Sequence, residues 1–324
     1  SRRAAEGGRV GVTPERVWTV RDALGWTVGY FERKDVDAPR RSAEWLLSAA
    51  TGLSRVELYA QHDRLLTDGE RADLRAGVER RAAGEPLQYV TGEVPFRHLV
   101  LKVCPGVFIP RPETEVLVDE ALAALPPAAG EVVGGADGGR AQGGTADGTG
   151  PIVVDLCTGS GAVALSIAHE RPDARLWATE IAPATAEVAR ENAERCGLSE
   201  RVTVLAGDLF SPLPDQLRGG VDLVVANPPY IPASDLAGLP AEVAGFEPRV
   251  ALDGGADGLD VARRIAAEAL AWLRPGGTLA LELDEGRVLA AAAEAAGWGY
   301  ADARAVRDLT GRDRVLIARA SAPG

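Results

Sequence analysis

The 324 residues suffice for two domains, and a make-up of 46% apolar and 25% charged residues is that of an ordinary globular chain. No apolar run is long enough to cross a bilayer, and the basic start SRRAAEGGRVGV lacks the apolar stretch of a signal peptide, which together point to the cytoplasm. A formal charge of −12, from 47 acids against 35 bases, argues against direct nucleic-acid binding, and three scattered cysteines (Cys104, Cys157, Cys196) with three scattered histidines (His62, His98, His169) argue against a disulfide framework or a metal site.

In chain order, TPERVW predicts a helix start, with Thr13 as N-cap and Pro14 in the first helical position. DAPRRSAEWLLSAATG repeats the arrangement and stops at Gly52. SRVE (Ser54 to Glu57) and TDGE (Thr67 to Glu70) match the capping box, and the last of these helices runs to about Gly84. Residues 12–84 therefore read as a small helical bundle of four or five helices. LQYVTGEVPFRHLVLKV, rich in β-branched and aromatic residues around a Thr-Gly-Glu turn, reads as a β-hairpin connector within residues 85–110. FIPRPETEVLVDEALAAL is a proline-bent lead-in to an amphipathic helix. Residues 126–150 are dominated by glycine, carry no aromatic side chain and show no periodicity, so they read as a disordered insertion.

From Pro151 strands and helices alternate: IVVDLC, AVALSIAHE, RLWATE, PATAEVARENAERCG, RVTVLAGD, VDLVVAN, GLDVARRIAAEALAWLRPGG, TLALEL, RVLAAAAEAAG and DRVLIARA. With right-handed crossovers this order gives a doubly wound α/β sheet over residues 111–320, whose ligands bind beyond the carboxyl ends of the strands.

Three strand ends carry the chemistry. The first leads into DLCTGSGA, where Gly159 and Gly161 let the backbone turn tightly and approach a ligand. The second ends at Glu180, a carboxylate placed to accept both hydroxyls of a ribose. The third ends at Asp208, placed to accept a proton from an adenine amino group. The turn lacks the third glycine of the dinucleotide fingerprint, since Ala164 and Leu165 stand where it would continue.

A fourth strand delivers Asn227, Pro228, Pro229 and Tyr230 to the same edge. The prolines fix the backbone, so the Asn227 side-chain oxygen and the Pro228 carbonyl become two oriented acceptors for the two hydrogens of a planar NH₂ group, with Tyr230 as a flat wall. Gripping those hydrogens stabilises the positive, pyramidal nitrogen that forms as it attacks an electrophile. The electrophile that suits an adenosine-type site is the sulfonium methyl of S-adenosylmethionine. Two carriers of the NH₂ group remain open at this point: a protein side-chain amide, or adenine or cytosine in nucleic acid. A third reading keeps the fold as a binding module without the chemistry.

GEPLQYVTGEVPF, FIPRPETEVLV, DLCTGSGAVALSIA, NPPYIP and FEPRVALDGGADGLD, in that order, resemble the N5-glutamine methyltransferases of peptide chain release factors, the PrmC/HemK family, from about Arg40 to Arg319. The resemblance implies a Rossmann-like methyltransferase sheet, S-adenosylmethionine as cofactor, and methyl transfer to the glutamine of a Gly-Gly-Gln motif in a release factor docked by the helical domain. It implies that Thr158, Gly159, Ser160 and Gly161 hold the methionine part of the cofactor and Glu180 its ribose, with Cys157 and Asn227 also in the cofactor site. Asp208 and Leu209 would flank the adenine. Asn227, Pro228, Pro229 and Tyr230 would grip the substrate amide, Phe108 would be a second wall, and Arg111 and Glu113 would stand at the mouth. The chain departs from the family at Cys157, where many relatives have glycine, and in ELDEGRVLA, which lacks the glutamine of E-x-G-x-x-Q.

Overall fold

A computed structural model describes residues 17–127 and 150–321. The helix start expected at Thr13 and Pro14, and residues 128–149 of the glycine-rich stretch, lie outside them. The chain divides into two compact units, one ending at Thr91 and the other beginning at Gly92.

The first unit is helical: α1 (Val20–Arg33), α2 (Pro39–Thr51), α3 (Arg55–Ala60), α4 (Asp68–Ala82) and α5 (Leu87–Thr91). Its helix starts follow local chemistry. Thr19, Ser54 and Thr67 each accept from the backbone N–H three residues on, while Asp22, Glu57 and Glu70 reach back, so three capping boxes satisfy the orphan donors of α1, α3 and α4. α2 begins instead on Pro39, with no side-chain cap, and ends in left-handed Gly52. In α1 the buried positions Val20, Ala23, Thr27 and Phe31 fall on one face, and they meet Leu46, Leu47, Leu58 and Val78 of the other helices.

The second unit opens with a hairpin, β1 (Glu93–Phe96) and β2 (Leu99–Lys102). Its turn is at Arg97 and His98, with Arg97 at φ 49°, and the expected Thr-Gly-Glu turn is instead the end of α5 and the first residue of β1. The expectation failed because Pro86 starts a helical turn: the Tyr89 and Val90 N–H groups donate to its carbonyl. Then follow α6 (Thr114–Ala124), β3 (Ile152–Leu156), α7 (Ala162–Glu170), β4 (Arg175–Glu180), α8 (Pro183–Arg195), β5 (Val202–Ala206), β6 (Val221–Ala226), α9 (Ala241–Phe246), α10 (Asp260–Ala269), β7 (Leu273–Glu282), α11 (Glu285–Glu294), β8 (Tyr300–Arg307) and β9 (Asp313–Ala320). The helix expected through AWLRPGG ends early. Pro275 cannot continue it, Leu273 pairs with Val221, and the chain bulges before Thr278 resumes the ladder opposite Leu223.

The seven strands lie in the order β5-β4-β3-β6-β7-β9-β8. The first five are parallel, while β9 runs antiparallel to both β7 and β8. β6 is buried at every position, as expected for a parallel strand covered on both faces. Val154, Leu156, Val224, Leu281 and Leu316 of the sheet pack with Ile265 of α10 and Val288 of α11 in one core. The chain winds outward from β3 through β4 to β5 and then returns to the other side of β3 with β6. The switch point of the Rossmann-like sheet is therefore between the carboxyl ends of β3 and β6, where such sheets hold ligands.

Candidate active site

The turn after β3 is held from beneath. Asp155, almost fully buried, accepts from the Thr158 hydroxyl at 2.5 Å and from the Ala164 N–H at 3.2 Å, tying both ends of the turn to one carboxyl group. Burial, with a smaller contribution from nearby Glu180, pushes that group up to about 7. Cys157 has φ 57°, Gly159 φ 55° and Gly161 φ 87°, so three of five successive residues are left-handed. Two are glycine, at no steric cost, while Cys157 bears strain of about 1–2 kcal/mol. At the end of β4, Glu180 accepts the Gly159 N–H and the Ala182 N–H, one on each oxygen, both at 3.0 Å. Its own carboxyl is also raised by burial. Asp208, past the end of β5, pairs with Arg264 of α10 at 2.6 Å. Leu209 beside it is left-handed too, at φ 46°.

Asn227 leaves the end of β6 beside Glu282 at the end of β7, and its Nδ2 donates to the Thr114 hydroxyl at 3.2 Å. Residues 231–258 double back over Asn-Pro-Pro-Tyr. The Ile231 N–H donates to Leu252, and its carbonyl accepts from Gly254 at 2.8 Å. From the other side, Arg111 stacks on the Phe108 ring at 5.0 Å and ion-pairs with buried Glu247. FIPRPE and FEPR are thereby joined through one carboxylate.

These pieces enclose a cavity of about 700 Å³, within the usual range for a small-molecule site. The structure brings to its wall Phe108 and Arg111, the turn from Cys157 to Ser160, Glu180, Asp208, Leu209 and all of Asn227 to Tyr230. Gly161 stands just behind as the N-cap of α7. Glu113 is not on the wall; it faces Arg312 at 3.6 Å.

Two domain families match the chain: the PrmC N-terminal domain over residues 22–92 and the methyltransferase small domain over residues 146–237. A release factor glutamine methyltransferase of Geobacter sulfurreducens is 43% identical, covering 94% of this chain and 97% of its own. One of Moorella thermoacetica is 44% identical over 93% and 98%, and one of Streptomyces coelicolor 40% over 89% and 93%. The chain belongs to the release factor glutamine methyltransferase family. It is an S-adenosylmethionine-dependent methyltransferase.

The residues present fit that cofactor. Each Glu180 oxygen takes one backbone N–H and keeps acceptor capacity for a hydroxyl, and a methyl at Gly159 would meet nothing within 4 Å, so the turn opens on free space. The buried Ser160 hydroxyl has no protein partner. Sequence reasoning missed Thr114, Arg264, Glu247 and Glu282. Thr114 and Glu247 did lie inside quoted motifs, and their nearness to those motifs was the available signal. Glu282 likewise opened the quoted ELDEGRVLA, whereas Arg264 carried no signal, since an arginine in a helix is commonplace.

Proposed function

We propose that this chain transfers a methyl group from S-adenosylmethionine to the side-chain amide nitrogen of the glutamine in the Gly-Gly-Gln motif of peptide chain release factors. The observation that carries the reading is the corner at Asn227 and Pro228. Nδ2 of Asn227 is engaged with Thr114, which leaves the carboxamide oxygen for the cavity, beside the Pro228 carbonyl. Two acceptors on a proline-locked backbone suit the two hydrogens of a planar NH₂ group.

In this reading Cys157, Thr158, Gly159, Ser160 and Gly161 hold the methionine part of the cofactor and Glu180 its ribose. Leu209 and Asp208 flank the adenine, Asp208 sharing its carboxylate with Arg264. When bound, the cofactor supplies an electrophilic methyl group on a sulfonium sulfur. Asn227 Oδ1 and the Pro228 carbonyl hold both hydrogens of the glutamine nitrogen as it turns pyramidal and positive, which lowers the barrier through fixed dipoles; the methylated nitrogen then releases one of those protons to water, giving a neutral N-methyl amide with S-adenosylhomocysteine as co-product. Pro229 keeps the corner rigid, and Tyr230 and Phe108 are the flat walls. Burial pushes the Tyr230 phenol up, so it stays protonated and serves as a surface, not as a base. Arg111, braced by Glu247, frames the mouth, with Glu113 outside it. The helical unit docks the release factor, on the strength of its match to the PrmC N-terminal domain. Such a substrate puts the reaction in the cytoplasm.

Incubation with cofactor and a release factor should add one methyl group, located by mass spectrometry on the glutamine of Gly-Gly-Gln. Asn227→Ala should cut turnover on the order of 100- to 1000-fold, as losing one fixed transition-state contact does, with S-adenosylhomocysteine binding kept. Methylation of DNA in a parallel reaction, or full turnover by Asn227→Ala, would overturn the reading.

A further inference from the structure

An asparagine side chain can face either way round, and only one way presents an oxygen to the substrate. Turned over, Asn227 would offer an NH₂ to an NH₂. What sets the direction lies behind the cavity wall. β6 and β7 are parallel with Ala226 opposite Leu281, so the next residues, Asn227 and Glu282, leave the sheet side by side. Glu282 is 2% exposed, and Thr114, at the start of α6, is 3% exposed. The Asn227 Nδ2 donates to Thr114 Oγ1 at 3.2 Å, and the buried Glu282 carboxylate stands beside both side chains.

The polarity of this triangle follows from donor counting. A carboxylate only accepts. Thr114, accepting from Asn227, has its single proton left for Glu282. One hydrogen of Nδ2 is on Thr114 and the adjacent Glu282 is an acceptor for the other, so Oδ1 is what Asn227 has left for the cavity. We propose that Glu282, acting with Thr114, is the positioning residue that fixes the Asn227 carboxamide with its oxygen toward the substrate nitrogen. The role rests on the glutamine-amide reading of the site. A buried carboxylate behind the amide also polarises it, making Oδ1 a stronger acceptor for a nitrogen that is gaining charge.

The same carboxyl group gives the reaction a pH signature. Burial pushes Glu282 up to about 7, against the opposing pull of Arg314 on β9 and with the help of Glu113 before α6; Thr114 and Asn227 are its polar neighbours. Its second oxygen, Oε2, is buried without a partner. Below that pH a protonated Glu282 can donate, and the triangle no longer dictates one orientation. Methyl transfer should therefore rise with pH through about 7.

The variants are Glu282→Gln, whose amide can donate as well as accept, and the pair Thr114→Val and Thr114→Ser. Glu282→Gln should lower kcat on the order of 10- to 100-fold, the scale of a catalytic group slightly misplaced. It should leave the Kd for S-adenosylhomocysteine unchanged and lose the rise in kcat near neutral pH. Thr114→Val should behave likewise and Thr114→Ser should recover most of the rate. A substrate-free readout separates this idea from the functional reading: the Asn227 side-chain NH₂ should be protected from hydrogen exchange in the unmodified protein by NMR, and unprotected in Glu282→Gln and Thr114→Val. Equal protection in all of them overturns the proposal, whatever the enzyme methylates. So does wild-type kcat and pH profile in Glu282→Gln, or a loss confined to KM. If Glu282→Gln does not fold, the Thr114 pair decides by the same criteria.

Discussion

Cys157 shows how a single residue in a binding turn can be reactive by type and inert by place. It lines the cavity at φ 57°, and burial followed by the carboxylates of Glu180, Asp155 and Asp208 pushes its thiol up, with only Arg264 opposing. A thiolate, the reactive form, is thus suppressed at neutral pH. Iodoacetamide at pH 8 should modify Cys104 well before Cys157, as read by peptide mass spectrometry; equal rates would show that burial and the carboxylates do not suppress the Cys157 thiolate. The same scale shows what the sequence made legible. Gly159, Glu180 and Asn227 could be read because each sits at a strand end inside a distinctive local pattern, and all three are on the cavity wall. Asp208 was placed with the adenine by its position alone, and its ion pair with Arg264, 56 residues on, could not be read from the turn that holds it.

At the scale of elements, the segment that backs Asn-Pro-Pro-Tyr is built for close approach. Gly258 has φ 82°, and a methyl there would collide with the Tyr230 carbonyl oxygen; a methyl on Gly254 would fall 2.7 Å from the Tyr230 Cα. This explains physically why DGGADG follows NPPY in the chain: only bare backbone lets the returning segment lie against the corner. Gly258→Ala should push Tyr230 into the cavity and cost turnover on the order of 100-fold, since about 1 Å of misplacement is enough. S-adenosylhomocysteine binding, measured by calorimetry, should change far less because the turn after β3 is untouched; unchanged turnover would mean the segment yields. Elements were legible where local chemistry dictates them, as at the Ser54 and Thr67 capping boxes and the apolar runs of β3 and β6. β8 was missed because YADARAVR alternates small and charged residues without an apolar face, and it becomes a strand through its ladder to β9. α9, six residues long and without a buried side chain, has no amphipathic signal to read.

At the scale of the whole molecule, two sets of carboxyl groups have opposite effects on stability. Those hydrogen-bonded by arginines at the surface, such as Glu70 with Arg64, Glu170 with Arg97 and Asp173 with Arg171, are held low. Their contribution is present above the ordinary carboxylate range and disappears as pH falls through their lowered values. The buried groups around the site go the other way. Asp155 and Glu282 are pushed up to about 7, and Glu180 and Glu247 are raised as well, all chiefly by burial. Their contribution is complete below the ordinary range, at roughly pH 4, and is lost as pH rises through the raised values, because the folded chain must then ionise carboxyls in a poorly solvated place. Stability should therefore peak near pH 5, between the two windows, and decline toward pH 8, each fully raised group adding a slope of up to about 1.4 kcal/mol per pH unit. Denaturant melts at pH 5 and pH 8 test this. The two units can unfold separately, so the transition that belongs to the second unit is the one that should move, and Asp155→Asn should shrink its shift without abolishing it, because Glu282 remains. A transition equally stable at both pH values would mean that the sheet edge is better hydrated than its packing implies. Bound cofactor should oppose the decline, since it stabilises only the folded chain.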